Sequence, residues 1–578
     1  MVAIRFAVLT FAMAAGLLAA PKLRLTNTTI GPVTIAAGAN GPSQILEAFN
    51  AGDGTLNLAL TSSSPWLKLS VGASAPCISQ SGTCIPLQIA LQTAGLAKGG
   101  YTATVTVSDP KAVDAPQTFT VSVQMGGFIP DQIDLYVTPD GTNGNTDKLV
   151  FNTNSALTWT TSTENQQNWL LLSLDAAGTY TFVFPYRIQG RKLDTMGEGN
   201  YRGSVNISGS KFAGDNKVTN VTLHVTSQPI AVVGPTSLQL RAVQNVPELT
   251  AVVGLSNRGL GALSITNVTA TNLTTGFSPT LKQTGPTTVT VTVNPSGLSP
   301  GHYSALVSIG SNAANGAVTV PLDLEVVPLG PPTASFQGVV NNATFATDDP
   351  IAQGCITALF GEQLSNSGAQ SGTQLPLVTK LGGVRVLVNG NAVPLFFTSP
   401  SQVNFQMPYE TPSGEALVQV ERDGQAGNTV SVQVTSIAPR LLLLGIGEYG
   451  LVVNQDGTFP VPTSLGINGH PAHVGDTLVI YAIGLGVTDP AVATGAAAPS
   501  AEPLARVTIP MTVLFGNRLF TAAQPATPLF VGLTPNFVGL YQINVTIPPN
   551  TASLDVLPVN VTYGTGGLIG SQIRIAVQ

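Results

Sequence analysis

Few folds can accommodate the stretch GGVRVLVNGNAVPLFFTSPSQVNFQMP, Gly382 to Pro408. Val384, Val386 and Val388 occupy alternate positions, Asn389-Gly390 follows, and Leu395 to Phe397 makes a second apolar run. Ser399-Pro400 then turns the chain into Val403, Phe405 and Met407. Alternation puts successive side chains on opposite faces of a strand, and Asn-Gly suits a two-residue hairpin turn. Three short strands with a turn at each corner are expected. The stretch also recurs: SQVNFQMP at 401–408 returns as YQINVTIP at 541–548, with Gln402/Gln542, Asn404/Asn544 and Pro408/Pro548 in register.

A chain of 578 residues is too long for one core and divides into several domains. Only 9 % of residues are charged, against about 25 % in ordinary domains. Thr, Ser, Asn and Gln supply the polarity instead, and 61 Gly and 42 Pro supply turns. Because 43 % of residues are hydrophobic and fall in short alternating runs, the chain can bury cores. The net charge of −6, without a basic cluster, argues against a nucleic-acid partner.

Arg5, the apolar run Phe6 to Leu18 and the small pair Ala19-Ala20 read as an export signal over residues 1–20. A short retained anchor is the alternative, although the run is shorter than the ~20 residues a bilayer needs. No later segment reaches ~18 uninterrupted apolar residues. The expected location is secreted, periplasmic or cell-surface, with no membrane span after signal removal. Cys77 and Cys84 lie seven apart in a Ser/Gly-rich loop and can close a small disulfide, contributing roughly 2 kcal/mol. A metal pair is the other reading, but no His or third Cys lies near. Cys355, in an apolar run, is expected to be buried and inert.

Three segments then repeat at about one hundred residues, each with a Gly-rich approach to Tyr101, Tyr201 or Tyr303 and an alternating strand after it. Aromatic residues precede them at Trp66, Trp169 and Phe277, suited to the centre of a sandwich core. The tyrosines sit where tyrosine corners would. These segments, SPWLKLS with KGGYTATVTVS above all, resemble the immunoglobulin-like repeats of bacterial surface proteins, of the BACON type. That resemblance implies glycan or mucin binding in some settings and assigns no binding residue.

The Pro/Gly-rich segment 329–337 reads as a linker. Beyond it, VVNNATFA, GCITALFGEQLS, the 381–414 stretch, NQDGTF, GDTLVIYAIGLG and PNFVGLYQINVTIP resemble the Solibacter-type C-terminal domain of acidobacterial secreted proteins. The resemblance covers about 240 residues and implies no established activity. Inside it, 354–365 mirrors 475–486, VRVLVNGN mirrors MTVLFGNR, and SQVNFQMP mirrors YQINVTIP, a duplication similar to IPT/TIG sandwiches. The expected fold is therefore all-β, with tandem immunoglobulin-like β-sandwich domains over 21–126, 127–228, 229–328, 338–436 and 437–578. Serial sandwiches suggest an extended rod.

Groups that carry chemistry are scarce. His224 lies in an alternating strand and His302 in a turn. His470 and His473, with Asp476, are the nearest approach to a zinc set, but Pro471 and Gly475 make this a loop. Asp140, Asn143, Asn145 and Asp147 are weak calcium candidates in a Gly/Asn-rich turn without a closing Glu. No nucleophile elbow or Cys-His pair is present. Gln402, Asn404, Gln542 and Asn544 form the polar repeat that stands out. Two apart on a strand, each pair shares a face, as a ladder fixing strand register or one wall of a sugar-binding groove.

The function read from these features is non-enzymatic, without cofactor. It is an adhesion, glycan-binding or spacer protein of the extracellular or cell-surface space, expected to be a monomer. Its expected partner is an extracellular polysaccharide or a surface protein. An accessory module of an extracellular polysaccharide-degrading system is the alternative, ahead of a hydrolase.

Overall fold

The computed structural model describes residues 20–578 apart from 98, 127–128, 142, 145–149, 153–157, 165–167, 175–178, 184–195, 211–212, 245–247, 517–522, 565–566 and 569–571. The proposed signal at 1–20 thus falls almost wholly outside the described residues. The fold is tandem β-sandwiches, and the first three repeat one topology. In each, the Gly-x-Tyr strand (Gly99–Ser108, Gly199–Ser208, Gly301–Ser311) pairs antiparallel with the next (Gln117–Met125, Val218–Val225, Val318–Val327). That second strand then pairs in parallel with an early one (Thr29–Ile35, Gln132–Val137, Leu238–Val243). Trp66, Trp169 and Phe277 are buried in the three cores, as the sequence implies.

All three tyrosines make the same closure. The hydroxyls of Tyr101, Tyr201 and Tyr303 donate to the carbonyls of Ala97, Gly197 and Ser299 at 3.1, 2.8 and 2.8 Å, each four residues upstream. Two residues before each ring stands a glycine with φ of 155, 151 or 153°, a conformation that a side chain rarely adopts. The half-buried ring covers the end of the core while its hydroxyl satisfies a loop carbonyl.

The Gly382–Pro408 stretch departs from the expectation of three strands in one run. Val384–Val388 and Asn391–Ala392 form a hairpin in one sheet, with Asn389 and Gly390 at φ 49 and 81°, as that two-residue turn requires. At Pro394, which has no N–H to continue a ladder, the chain crosses over. Leu395–Thr398 and Gln402–Gln406 then pair in the opposite sheet. The inward residues Val384, Val386, Val388, Leu395, Val403, Phe405 and Met407 come from both sheets and are all buried.

The duplication follows the same route. Met511–Phe515 pairs with Leu554–Tyr563, as Val384–Val388 pairs with Gly414–Arg422. Thr477–Ile483 pairs with Tyr541–Thr546, as Ile356–Glu362 pairs with Gln402–Gln406. The 329–337 segment read as a linker is shorter than that, because strand Thr333–Asn341 begins inside it and joins the fourth sandwich. The buried Arg422 donates to the carbonyls of Gly330 and Gln363 at 2.7 and 2.5 Å, pinning what remains.

The expected rod is corrected by a contact between sandwiches far apart in sequence. Asp114, buried in a loop of the first sandwich, meets Ser431 of the fourth, 317 residues away. Its Oδ1 accepts the Ser431 N–H at 2.6 Å, and its Oδ2 accepts the Ser431 hydroxyl at 2.9 Å and Arg24 Nη1 at 2.7 Å. The Asp114 N–H donates to the Thr429 carbonyl at 2.9 Å. Asn428 Nδ2 donates to the carbonyls of Ala115 and Ala334, each at 2.9 Å, while Lys22 reaches Glu415 at 2.5 Å. The chain turns back on itself.

Two measurements check these joints. Tyr303→Phe keeps the ring and removes one hydroxyl bond, so its sandwich should lose about 1 kcal/mol in a denaturant titration. Asp114→Ala leaves Arg24 without its carboxylate and the Ser431 N–H and hydroxyl unmet, which typically costs ~3–5 kcal/mol for a buried pair. Small-angle scattering should then show a larger radius of gyration than the wild type; an unchanged radius would refute the clasp.

Candidate functional site

The repeated amide pairs lie on outward faces, opposite the buried Val403, Phe405, Ile543 and Val545. Gln402 Nε2 donates to Asn404 Oδ1 at 2.8 Å, and Gln542 Nε2 donates to Asn544 Oδ1 at 3.1 Å. Each bond runs within one strand. It cannot set the register between two strands, so the register-fixing ladder is corrected: buried alternation performs that task.

The neighbours of these amides are also repeated. Across the ladders Gln402 faces Phe360 and Asn404 faces Phe397; Gln542 faces Tyr481 and Asn544 faces Phe530. Each copy thus sets two amides between two aromatic rings on an outer face. The rings escaped the sequence reading because each belongs to a neighbouring strand; only pairing brings them to the amides.

The copies then diverge. In the fifth sandwich the Arg506 guanidinium lies 4.9 Å from the Phe530 ring centre and is held by Glu502 at 2.7 Å. Phe530 is only 8 % exposed under it. In the fourth, Phe345 is added at 5.9 Å from Phe360, and Phe345 is 48 % exposed. Its φ is 55°, a region that costs a bulky residue roughly 1–3 kcal/mol. Its N–H donates to Asn341 O at 2.9 Å.

A groove of about 580 Å³ opens beside the Asn389-Gly390 turn, between Pro394, Pro408, Pro412 and Thr494. Its polar groups already serve the fold: Asn389 Oδ1 accepts the Leu417 N–H at 2.8 Å, and Glu410 accepts the Thr494 hydroxyl at 2.8 Å. It presents no aromatic side chain.

The histidines do not converge. His470 Nε2 meets Asp456 at 2.9 Å, whereas His473 pairs with Asp476 at 3.5 Å, so the His470–His473–Asp476 set divides between two partners. His224 stands between Asn200 and Asp134 at 2.7 and 3.0 Å, and His302 lies 3.3 Å from Asp323. Among the described residues no three His, Cys, Asp or Glu side chains gather as a metal site. Of the calcium candidates, Asp140 accepts the Thr138 hydroxyl at 2.5 Å, and Asn143 closes the same turn through its backbone. Asn145 and Asp147 lie outside the described residues.

Burial pushes the Cys355 thiol up to about 12, so it supplies no nucleophile. Cys77 and Cys84 form a disulfide with Cα atoms 4.9 Å apart. The loop they close is held from beneath by Glu47, which accepts the N–H groups of Ile78 and Ser79 at 2.7 and 3.1 Å. Those bonds hold the Glu47 carboxyl below its usual range.

The Asp456–His470 pair should respond to pH. Bonds from Thr458 and then His470 hold Asp456 low, while Asp456 and then the Pro471 carbonyl raise His470. The Asp456 contribution is present above its unfolded value near ~3.9 and lost as pH falls through the lowered one. The His470 contribution is present below ~6.5 and lost as pH rises through the raised one. Loop stability should thus peak between those limits. An NMR titration should place the His470 midpoint above ~6.5, and Asp456→Asn should return it toward the ordinary value.

No family model matches the chain, and no curated protein matches it. Solved structures that share features with it include tandem cadherin and immunoglobulin domains and an enzyme. Drosophila N-cadherin domains EC1–4 are 12 % identical, covering 70 % of this chain and all of that one, at a TM-score of 0.19. The human desmocollin-1 ectodomain is 10 % identical over 95 % of this chain and 98 % of its own, at 0.15. An endo-fucoidan hydrolase of glycoside hydrolase family 107 is 14 % identical over 54 % of this chain, at 0.17, and the match spans 45 % of that enzyme. Scores this low carry no argument about function.

Proposed function

We propose that this is an exported, non-enzymatic binding protein of the extracellular or cell-surface space. Its tandem sandwiches hold neutral polar faces toward a polysaccharide or a surface protein. One observation carries this reading: many outward strand positions form uncharged hydroxyl and amide pairs, and among the described residues no three His, Cys, Asp or Glu side chains gather. Thr102 meets Ser122 at 3.0 Å, Thr158 meets Ser208 at 2.7 Å, Ser162 meets Ser204 at 2.8 Å, and Thr477 meets Thr546 at 3.2 Å. Uncharged hydrogen-bonding faces suit large uncharged partners, which are held by many modest contacts. The same reading keeps the duplicated C-terminal part beside the Solibacter-type secreted domains.

Immobilised polysaccharides and cell-surface protein extracts test it with the full chain. The native protein should be retained on at least one, and the heat-unfolded protein on none. Equal passage of both through every matrix would reduce the protein to a spacer.

A further inference from the structure

We propose that the outer face of the fourth sandwich is a binding site for an uncharged polysaccharide chain. There Phe345, Phe360 and Phe397 surround the Gln402–Asn404 amide pair. This rests on the reading of the molecule as a binding protein and names its ligand class.

The amides come first. The bond from Gln402 Nε2 to Asn404 Oδ1 uses one donor and one acceptor. Gln402 Oε1 and the Asn404 amino group have no other side-chain or backbone partner among the described residues. An acceptor and a donor set side by side match adjacent hydroxyls of a sugar ring, each of which donates and accepts. Because the internal bond fixes both amides, little side-chain freedom is lost on binding.

The rings supply the apolar half. Phe360 and Phe397 stand on the strands flanking Gln402–Gln406, two strand spacings apart, or about 10 Å. A chain lying from one ring to the other crosses the amide pair, with the C–H faces of its sugars on the aromatic surfaces. Phe345 extends this platform beside Phe360. An aromatic ring 48 % exposed and held at φ 55° is strained without filling a core, a pattern that belongs to sites rather than to scaffolding. None of the five side chains is charged, so a phosphate or uronate would find no cation on them. In the fifth sandwich Arg506 lies over the equivalent ring, so that copy is a control within the same molecule.

Affinity electrophoresis of the full chain through gels containing xylan, galactomannan, amylose or β-1,3-glucan tests the assignment. At least one polysaccharide should retard the wild type. Phe345→Ala and Asn404→Ala should each weaken binding tenfold or more, whereas Gln542→Ala should not. Phe345→Gly removes the ring and suits the positive φ, so its melting temperature should hold or rise while binding falls. Site variants that bind as the wild type does would overturn the assignment and leave the ligand elsewhere on a binding protein. Retardation by no neutral polysaccharide would also overturn it, and retention on surface protein would then show that the wider reading survives. Loss of both would sink the two together.

Discussion

A single buried carboxylate determines how these sandwiches become one molecule. Taking Asp114 out of water costs several kcal/mol, and only close donors on most of its lone pairs can offset that. Here Arg24 comes from its own domain, and the N–H and hydroxyl of Ser431 come from the fourth. Separated, the first sandwich would expose a carboxylate that solvates well, but Thr429 and Glu415 would lose their partners with it, and Asn428 one of its two. Tandem domains otherwise move freely, because the joints between them are small and polar. This joint is polar too, but both oxygens of its buried carboxylate are met by donors, and it ties the first sandwich to the fourth.

Two other joints also carry ion pairs. Arg241 of the third sandwich reaches Glu362 of the fourth at 2.8 Å. Arg440, entering the fifth, meets Asp349 of the fourth at 2.6 Å, and that contact holds the Asp349 carboxyl low. Beside it the Tyr409 and Tyr541 hydroxyls lie 3.3 Å apart, and burial raises both. In a chain with 9 % charged residues, three ion pairs among the described residues thus lie between domains, while others, such as Arg385–Glu421 and His302–Asp323, stay within one sandwich.

What the sequence disclosed and what it hid divide by range. Tyrosine corners close over four residues, the Asn389-Gly390 turn over two and the Cys77–Cys84 loop over seven, so all three were legible as local patterns. The duplication was legible because burial enforces alternation in both copies. The clasp was not, since nothing near Asp114 anticipates a strand 317 residues later. The crossover at Pro394 was hidden as well: alternation tells which residues face inward, not which sheet carries them. Gln402 and Asn404 could be placed on one face, but their bond to each other and the rings beside them depend on rotamers and pairing.

The duplicated sandwiches show how a face is separated from its scaffold. Both keep the inward residues, the in-strand amide bond and the flanking rings, so these features are compatible with the same core. What differs lies outside the ladder: an arginine laid over Phe530 in one copy, and a phenylalanine brought in at positive φ in the other. The first change lowers exposed apolar area and favours stability. The second raises exposed area and adds backbone strain, so stability opposes it. One change covers the ring that faces Asn544 and the other adds to the ring that faces Gln402, so two copies of one fold with a shared core present surfaces that are not equivalent.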